Sequence, residues 1–179
     1  MENAYVESSL KPVDVLILLK LVANGDQPWS YARLSGEIGV VPSQISNSLR
    51  RCERARLLER SDSPRPYRPH LTEFLIHGVK YCFPAATGSL TRGIPTSYAA
   101  PPLSSLLNPT DDPPPVWPYS HGEVRGIGLT PIHRAAPEAA LKDGKLYQLL
   151  ALVDAIRTGR ARERELAARE LTSRIEGNW

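Results

Sequence analysis

Eleven of the seventeen prolines fall between residues 84 and 137. Proline fixes φ and has no N–H, so it breaks helix interiors and is kept out of central strands. This clustering divides the 179-residue chain into three stretches. Residues 10–83 read as helices with short connections, 84–137 as an irregular, proline-rich connector, and 138–175 as helices again. The expected fold class is therefore mainly α. No internal repeat is visible.

The first stretch has clear helix punctuation. Pro12 suits a first helical turn, where its missing N–H costs nothing, and Asn24-Gly25 is a stop signal. Between them Val13, Leu16, Ile17 and Leu21 form a stripe that Val15, Leu18 and Leu19 widen. A helix this apolar should be buried on several sides. Ser30 can cap a second helix, with Trp29 and Leu34 at hydrophobic-staple spacing, and Gly39 ends it. A third helix is expected from Pro42 to about Arg56, burying Ile45, Leu49 and Cys52. A fourth is expected from about His70 to Phe83, with Leu71, Phe74, Leu75, Gly78, Val79 and Cys82 on one stripe.

The stretch Tyr31–Leu58 carries the chemistry. A short helix ends in Gly39, and Gly39-Val40-Val41 leads into a helix whose outer faces hold Ser43, Gln44, Ser46, Asn47, Arg50, Arg51 and Arg54. Slender leading residues fit a major groove. Gln and Asn offer a donor and an acceptor to adenine, and Arg grips guanine or neutralises phosphate. From Arg50 to Arg68 there are seven arginines against three acids, a local net of +4. The whole-chain charge of +3 would not argue for nucleic acid alone.

The segment LSGEIGVVPSQISNSLRRCERARLL resembles the winged helix-turn-helix domains of bacterial transcriptional regulators, close to the multiple-antibiotic-resistance regulator group. The resemblance covers residues 10–83. It implies a DNA-binding domain in which Ser43, Gln44, Ser46, Asn47 and Arg50 face base edges, while Arg51 and Arg54 lie nearer the backbone. Two positions depart from the pattern: Val41 stands where a capping Ser or Thr is usual, and Arg56 where Gly is usual. Pro64, Pro66 and Pro69 imply a short or irregular wing, from which Arg65 and Arg68 would reach phosphate.

Other chemistries are poorly supported. His70, His77, His121 and His133 match no metal spacing, and His77 reads as a packed histidine. Gly126-Ile127-Gly128 lacks the rest of a phosphate loop. No catalytic residue, metal or cofactor is expected. Cys52 and Cys82 read as buried reduced thiols. The N-terminal residues do not read as a secretory signal. The longest apolar run, Val15–Leu19, is too short to span a membrane. A cytoplasmic location is expected.

The proline-rich stretch is too apolar for a free linker: it holds Ile94, Tyr98, Leu103, Leu106, Leu107, Val116, Trp117, Tyr119, Ile127 and Leu129. It reads as a strap packed on the helices, with an effector pocket or partner-docking surface as the alternative. Val116–Tyr119 and Val124–Leu129 could pair as a hairpin. In the last stretch Leu146, Leu149, Leu150, Val153 and Ile156 form a stripe that either completes the monomer core or builds a dimer; a homodimer seam is expected, since one recognition helix reads few base pairs. A second helix follows Gly159.

These readings converge on a dimeric, sequence-specific regulator, a repressor, bound to double-stranded DNA. The alternative is a protein-interaction module, such as an autoregulating antitoxin that binds the product of a neighbouring gene.

Overall fold

The computed structural model describes residues 9–59, 61, 63–108 and 110–179. Most of the N-terminal stretch tested above for a signal, and Arg60 of the arginine run, lie outside the described residues. The chain is mainly helical with small sheets, as expected.

Helix α1 (Pro12–Asn24) begins at its proline, and every residue from Asp14 to Leu21 is buried. Helix α2 (Tyr31–Ile38) is capped by the Ser30 hydroxyl, which accepts from the Arg33 N–H at 3.2 Å. Gly39 ends it in the left-handed conformation at φ +67°. Helix α3 (Pro42–Arg54) follows, and Val41 supplies no side-chain cap. A two-residue antiparallel ladder then joins β1 (Leu58–Glu59) to β2 (Arg65–Pro66).

Helix α4 (Arg68–Glu73) continues through one π-helical turn, Phe74–Gly78, into α5 (Val79–Cys82). The π turn inserts a residue into the helical register. Leu71, Leu75 and Val79 stay buried, but Cys82 is turned out to solvent. That corrects the expectation of two buried thiols. His77 is exposed rather than packed.

The proline-rich stretch is built around a strand that sequence reasoning did not assign, β3 (Thr87–Pro95). It pairs antiparallel with both β4 (Pro115–Pro118) and β5 (Val124–Leu129). Two strands that each run antiparallel to a third must run parallel to each other, and β4 and β5 do. The expected hairpin between them is therefore wrong in its pairing, although the strand positions are right. The three strands close on themselves as a small barrel. Closure requires near-contact of backbones. A Cβ at Gly93 would lie 2.0 Å from the Trp117 carbonyl oxygen, and one at Gly126 would lie 2.0 Å from that of Pro114. Between β3 and β4 lie a 3-10 turn (Ser97–Ala99) and the short helix α6 (Leu103–Leu106).

Helices α7 (Ala136–Lys142), α8 (Gly144–Thr158) and α9 (Ala161–Ile175) complete the chain. Asp143 starts α8 by accepting from the Lys145 and Leu146 N–H groups at 3.0 and 3.1 Å. Every residue of α8 from Leu149 to Ile156 is buried. It packs on α1, α5, α7, α9 and the 3-10 turn. Leu146, Leu149, Leu150, Val153 and Ile156 are thus covered by their own chain. The expected dimer seam is instead the centre of the monomer, because Ala151, Leu152 and Ala155 make the helix apolar all round. One hydrophobic core takes residues from all three stretches of the sequence.

Two polar clusters lock the layers together. The Asp154 carboxylate on α8 accepts from Trp117 Nε1 at 2.6 Å and from Thr96 Oγ1 at 2.8 Å, and pairs with Arg157 at 2.8 Å. Arg157 also donates to the Phe83 carbonyl at 2.8 Å. Trp117 is 1% exposed, so the middle stretch is an ordered strap. At the N-terminal end of α8, buried Lys20 of α1 bridges Asp143 at 2.6 Å and Glu37 of α2 at 2.8 Å. Among the described residues, no helix is long and apolar enough to cross a membrane.

Candidate nucleic-acid interface

Helix α3 is divided along its length. Ile45, Leu49 and Cys52 face inward, and Ser48 with them. Ser43, Gln44, Asn47, Arg50 and Arg54 are exposed, and Ser46 is half-buried. Positions 43, 47, 50 and 54 follow the four- and three-residue steps that place side chains on one helical face. The first turn is closed by backbone alone, the Gln44 N–H donating to the Val41 carbonyl at 3.0 Å. Val41 adds no side-chain cap, so this end presents its dipole without a capping group.

Arg51 departs from the expected arrangement. Its guanidinium points inward and donates to both carboxylate oxygens of Asp14, at 2.9 and 2.5 Å. It is therefore removed from the group of outward-facing residues. Fork-to-fork pairing fixes both position and rotation, so Arg51 sets how α3 is rolled against α1. Beneath it, burial and the nearby Asp14 charge push the Cys52 thiol up to about 12, which leaves it protonated.

Arg50, Arg54 and Arg56 surround a hollow of about 640 Å³ next to Leu58, with Glu53 the one acid lining it among the described residues. Arg56 is the residue sequence reasoning passed over as a lining group. The arginine run in which it sits was the available signal. Its backbone holds φ +59°, the left-handed conformation for which the related pattern uses glycine. Arg65 of the hairpin is exposed and pairs with exposed Asp26 at 2.7 Å. Arg68 donates to the Glu176 carbonyl at 3.2 Å. Among the described residues each of these guanidinium groups makes that one contact through Nη1, and neither belongs to the α3 face itself.

The other chemistry-bearing residues are scattered. Among the described residues, no three His, Cys, Asp or Glu side chains are grouped so as to hold a metal ion. No protein-family model matches this chain, and neither do any curated proteins or solved structures.

Proposed function

We propose that this chain is a sequence-specific regulator that binds double-stranded DNA. Its α1–α3 unit and β1–β2 hairpin act as a winged helix-turn-helix of the kind found in bacterial transcriptional regulators, with repression as the outcome of occupying its site. The observation that carries this reading is the outer face of α3, where Ser43, Gln44, Asn47, Arg50 and Arg54 stand exposed on a helix held rigidly by Arg51 and Asp14. Amide side chains near the leading end of such a helix suit adenine edges, and the arginines further along suit guanine or phosphate. Arg65 contacts the flanking backbone from the short wing, and Arg68 does so from the first turn of α4.

The experiment is selection of bound duplexes from a random library, followed by affinity measurement at several salt concentrations. The reading expects an enriched site and a log–log salt slope of about −0.9 per neutralised phosphate. An unenriched library, together with no salt-dependent duplex binding, contradicts it.

A further inference from the structure

The β3–β5 ribbon carries a charge arrangement that nothing within the chain explains. Arg92 and Arg125 are register partners, directly opposite each other, and both are exposed. Like charges facing each other across a strand pair destabilise the sheet. Among the described residues, neither guanidinium has an ion pair or hydrogen bond. Both line one open, shallow hollow of about 310 Å³ with Leu90, Thr91 and Glu123. Glu123 is exposed and pairs with neither arginine, so two cations stand there against one acid among the described residues. Leu90, two residues before Arg92 on β3, is 44% exposed opposite half-buried Ile127.

An anion from outside the chain offsets the repulsion between the two arginines, and a guanidinium fork matches the oxygens of a phosphate. The shape of the surface narrows the choice of anion. The hollow is too open to enclose a small ligand. The three strands close on themselves, so the sheet offers no free edge to which a peptide strand can add. An extended polyanion laid across both guanidiniums fits, with its sugars against Leu90.

We propose that this ribbon is a second nucleic-acid contact, which grips the phosphates of a duplex segment other than the one lying on α3. Helix α3 packs on α1, α2 and β1, whereas the sheet is joined to α8 through Trp117 and Asp154. The two contacts thus stand on different elements of the core, and one chain holds two segments together. Among the described residues, no amide side chain lines the hollow, so the second contact takes phosphate and sugar without reading bases. The inference rests on the DNA-binding reading only for the segment on α3, and the ribbon is tested apart from it.

The first test measures binding of a random-sequence duplex to the full chain, by fluorescence anisotropy, in an Arg50→Ala/Arg54→Ala background where α3 has lost its arginines. Binding should persist. Adding Arg92→Gln/Arg125→Gln should weaken it about tenfold or more at about 50 mM salt, and should reduce the log–log salt slope by about 0.9 for each of the two lost phosphate contacts. The same change removes a like-charge pair, so the urea midpoint should hold or rise while binding falls. Binding absent from the background variant, binding retained after the ribbon is neutralised, or a lowered midpoint overturns the proposal. Displacement by poly-glutamate as efficient as by unlabelled duplex also overturns it, by giving the arginines to an acidic protein. The second test saturates an immobilised, selected duplex with protein and then adds a labelled random duplex. Wild type should capture the label. Arg92→Gln/Arg125→Gln should occupy the immobilised duplex equally and capture several-fold less. No capture by wild type, or equal capture by the variant, overturns the second segment. An immobilised duplex that stays bare, while random duplex still binds through the ribbon, supports the ribbon contact and contradicts the α3 reading alone.

Discussion

Arg51 on α3 and Asp14 on α1 form a buried, two-pronged ion pair that ties the helix presenting Gln44 and Asn47 to the hydrophobic centre of the chain. Asp14 also accepts from the Lys11 N–H at 2.8 Å, so one carboxylate fixes both the start of α1 and the roll of α3. Removing one partner of a buried pair strands the other charge, which costs about 3–5 kcal/mol. Asp14→Ala should therefore lower the stability measured by urea unfolding by that amount. Arg51→Met should leave the salt slope of duplex binding unchanged, whereas Arg54→Ala should reduce it by about 0.9 for a lost phosphate contact. A reduced slope for Arg51→Met would put its guanidinium on DNA.

Arg56 holds a left-handed backbone at φ +59° with a full side chain. For residues other than glycine, that conformation costs roughly 1–2 kcal/mol. Part of the gain from glycine is offset by its greater unfolded-state entropy. Arg56→Gly should raise stability by about 1 kcal/mol, read as a higher urea midpoint. The same change removes a cation from the hollow beside Arg50 and Arg54, so duplex affinity should fall while stability rises. A lower midpoint would contradict the strain account.

The closed three-stranded unit depends on glycines at two crossings. Gly93→Ala would place a methyl group 2.0 Å from the Trp117 carbonyl oxygen, a clash with backbone rather than with a movable side chain. Relief requires the strands to separate, and Trp117 would lose its bond to Asp154. The expected cost is at least about 3 kcal/mol, with Trp117 fluorescence shifting toward that of exposed indole. In the wild type, trypsin should spare Arg92 and Arg125. Rapid cleavage there would show a mobile linker.

Acid stability should depend on the Lys20 cluster. Hydrogen bonds from Arg33 and Lys20 hold the Glu37 carboxyl below its ordinary 4.5. Burial pushes Asp143 up, but Lys20 and the Leu146 N–H more than offset it, so its carboxyl lies below the ordinary 3.8. A carboxylate with a depressed folded pKa contributes stability that is present above its unfolded value and lost as pH falls through the folded one. Stability should therefore decline as pH drops below about 4.5. Asp143→Asn should shallow that decline at a cost in neutral stability. An unchanged acid limb would remove Asp143 from the account.

Local signals read well where a single residue decides the backbone. Pro12, Ser30, Gly39 and Pro42 mark helix boundaries that the structure keeps. The outer face of α3 was legible from its period, except for Arg51, because an arginine that buries its head against a carboxylate 37 residues away leaves no local trace. The Leu146–Ile156 stripe was visible, but its burial partner was not. A one-stripe reading overlooked Ala151, Leu152 and Ala155, which make α8 a central helix. Strand β3 was missed because two of its nine residues are glycines and its apolar positions are few. Its pairing is set by close backbone approach to β4 and β5, which periodicity does not report. The π turn at Phe74–Gly78 likewise has no sequence mark, and it moved Cys82 from the expected stripe to the surface.

The central claim is that the outer face of α3 reads bases. Its most direct test compares wild type with Asn47→Ala and Gln44→Ala on a selected duplex and on random duplex of the same length, at one salt concentration. Losing an amide that pairs with a base edge should cost about 1–3 kcal/mol on the selected site and almost nothing on random DNA. Equal losses on both duplexes, or no loss on either, would contradict base reading by this helix.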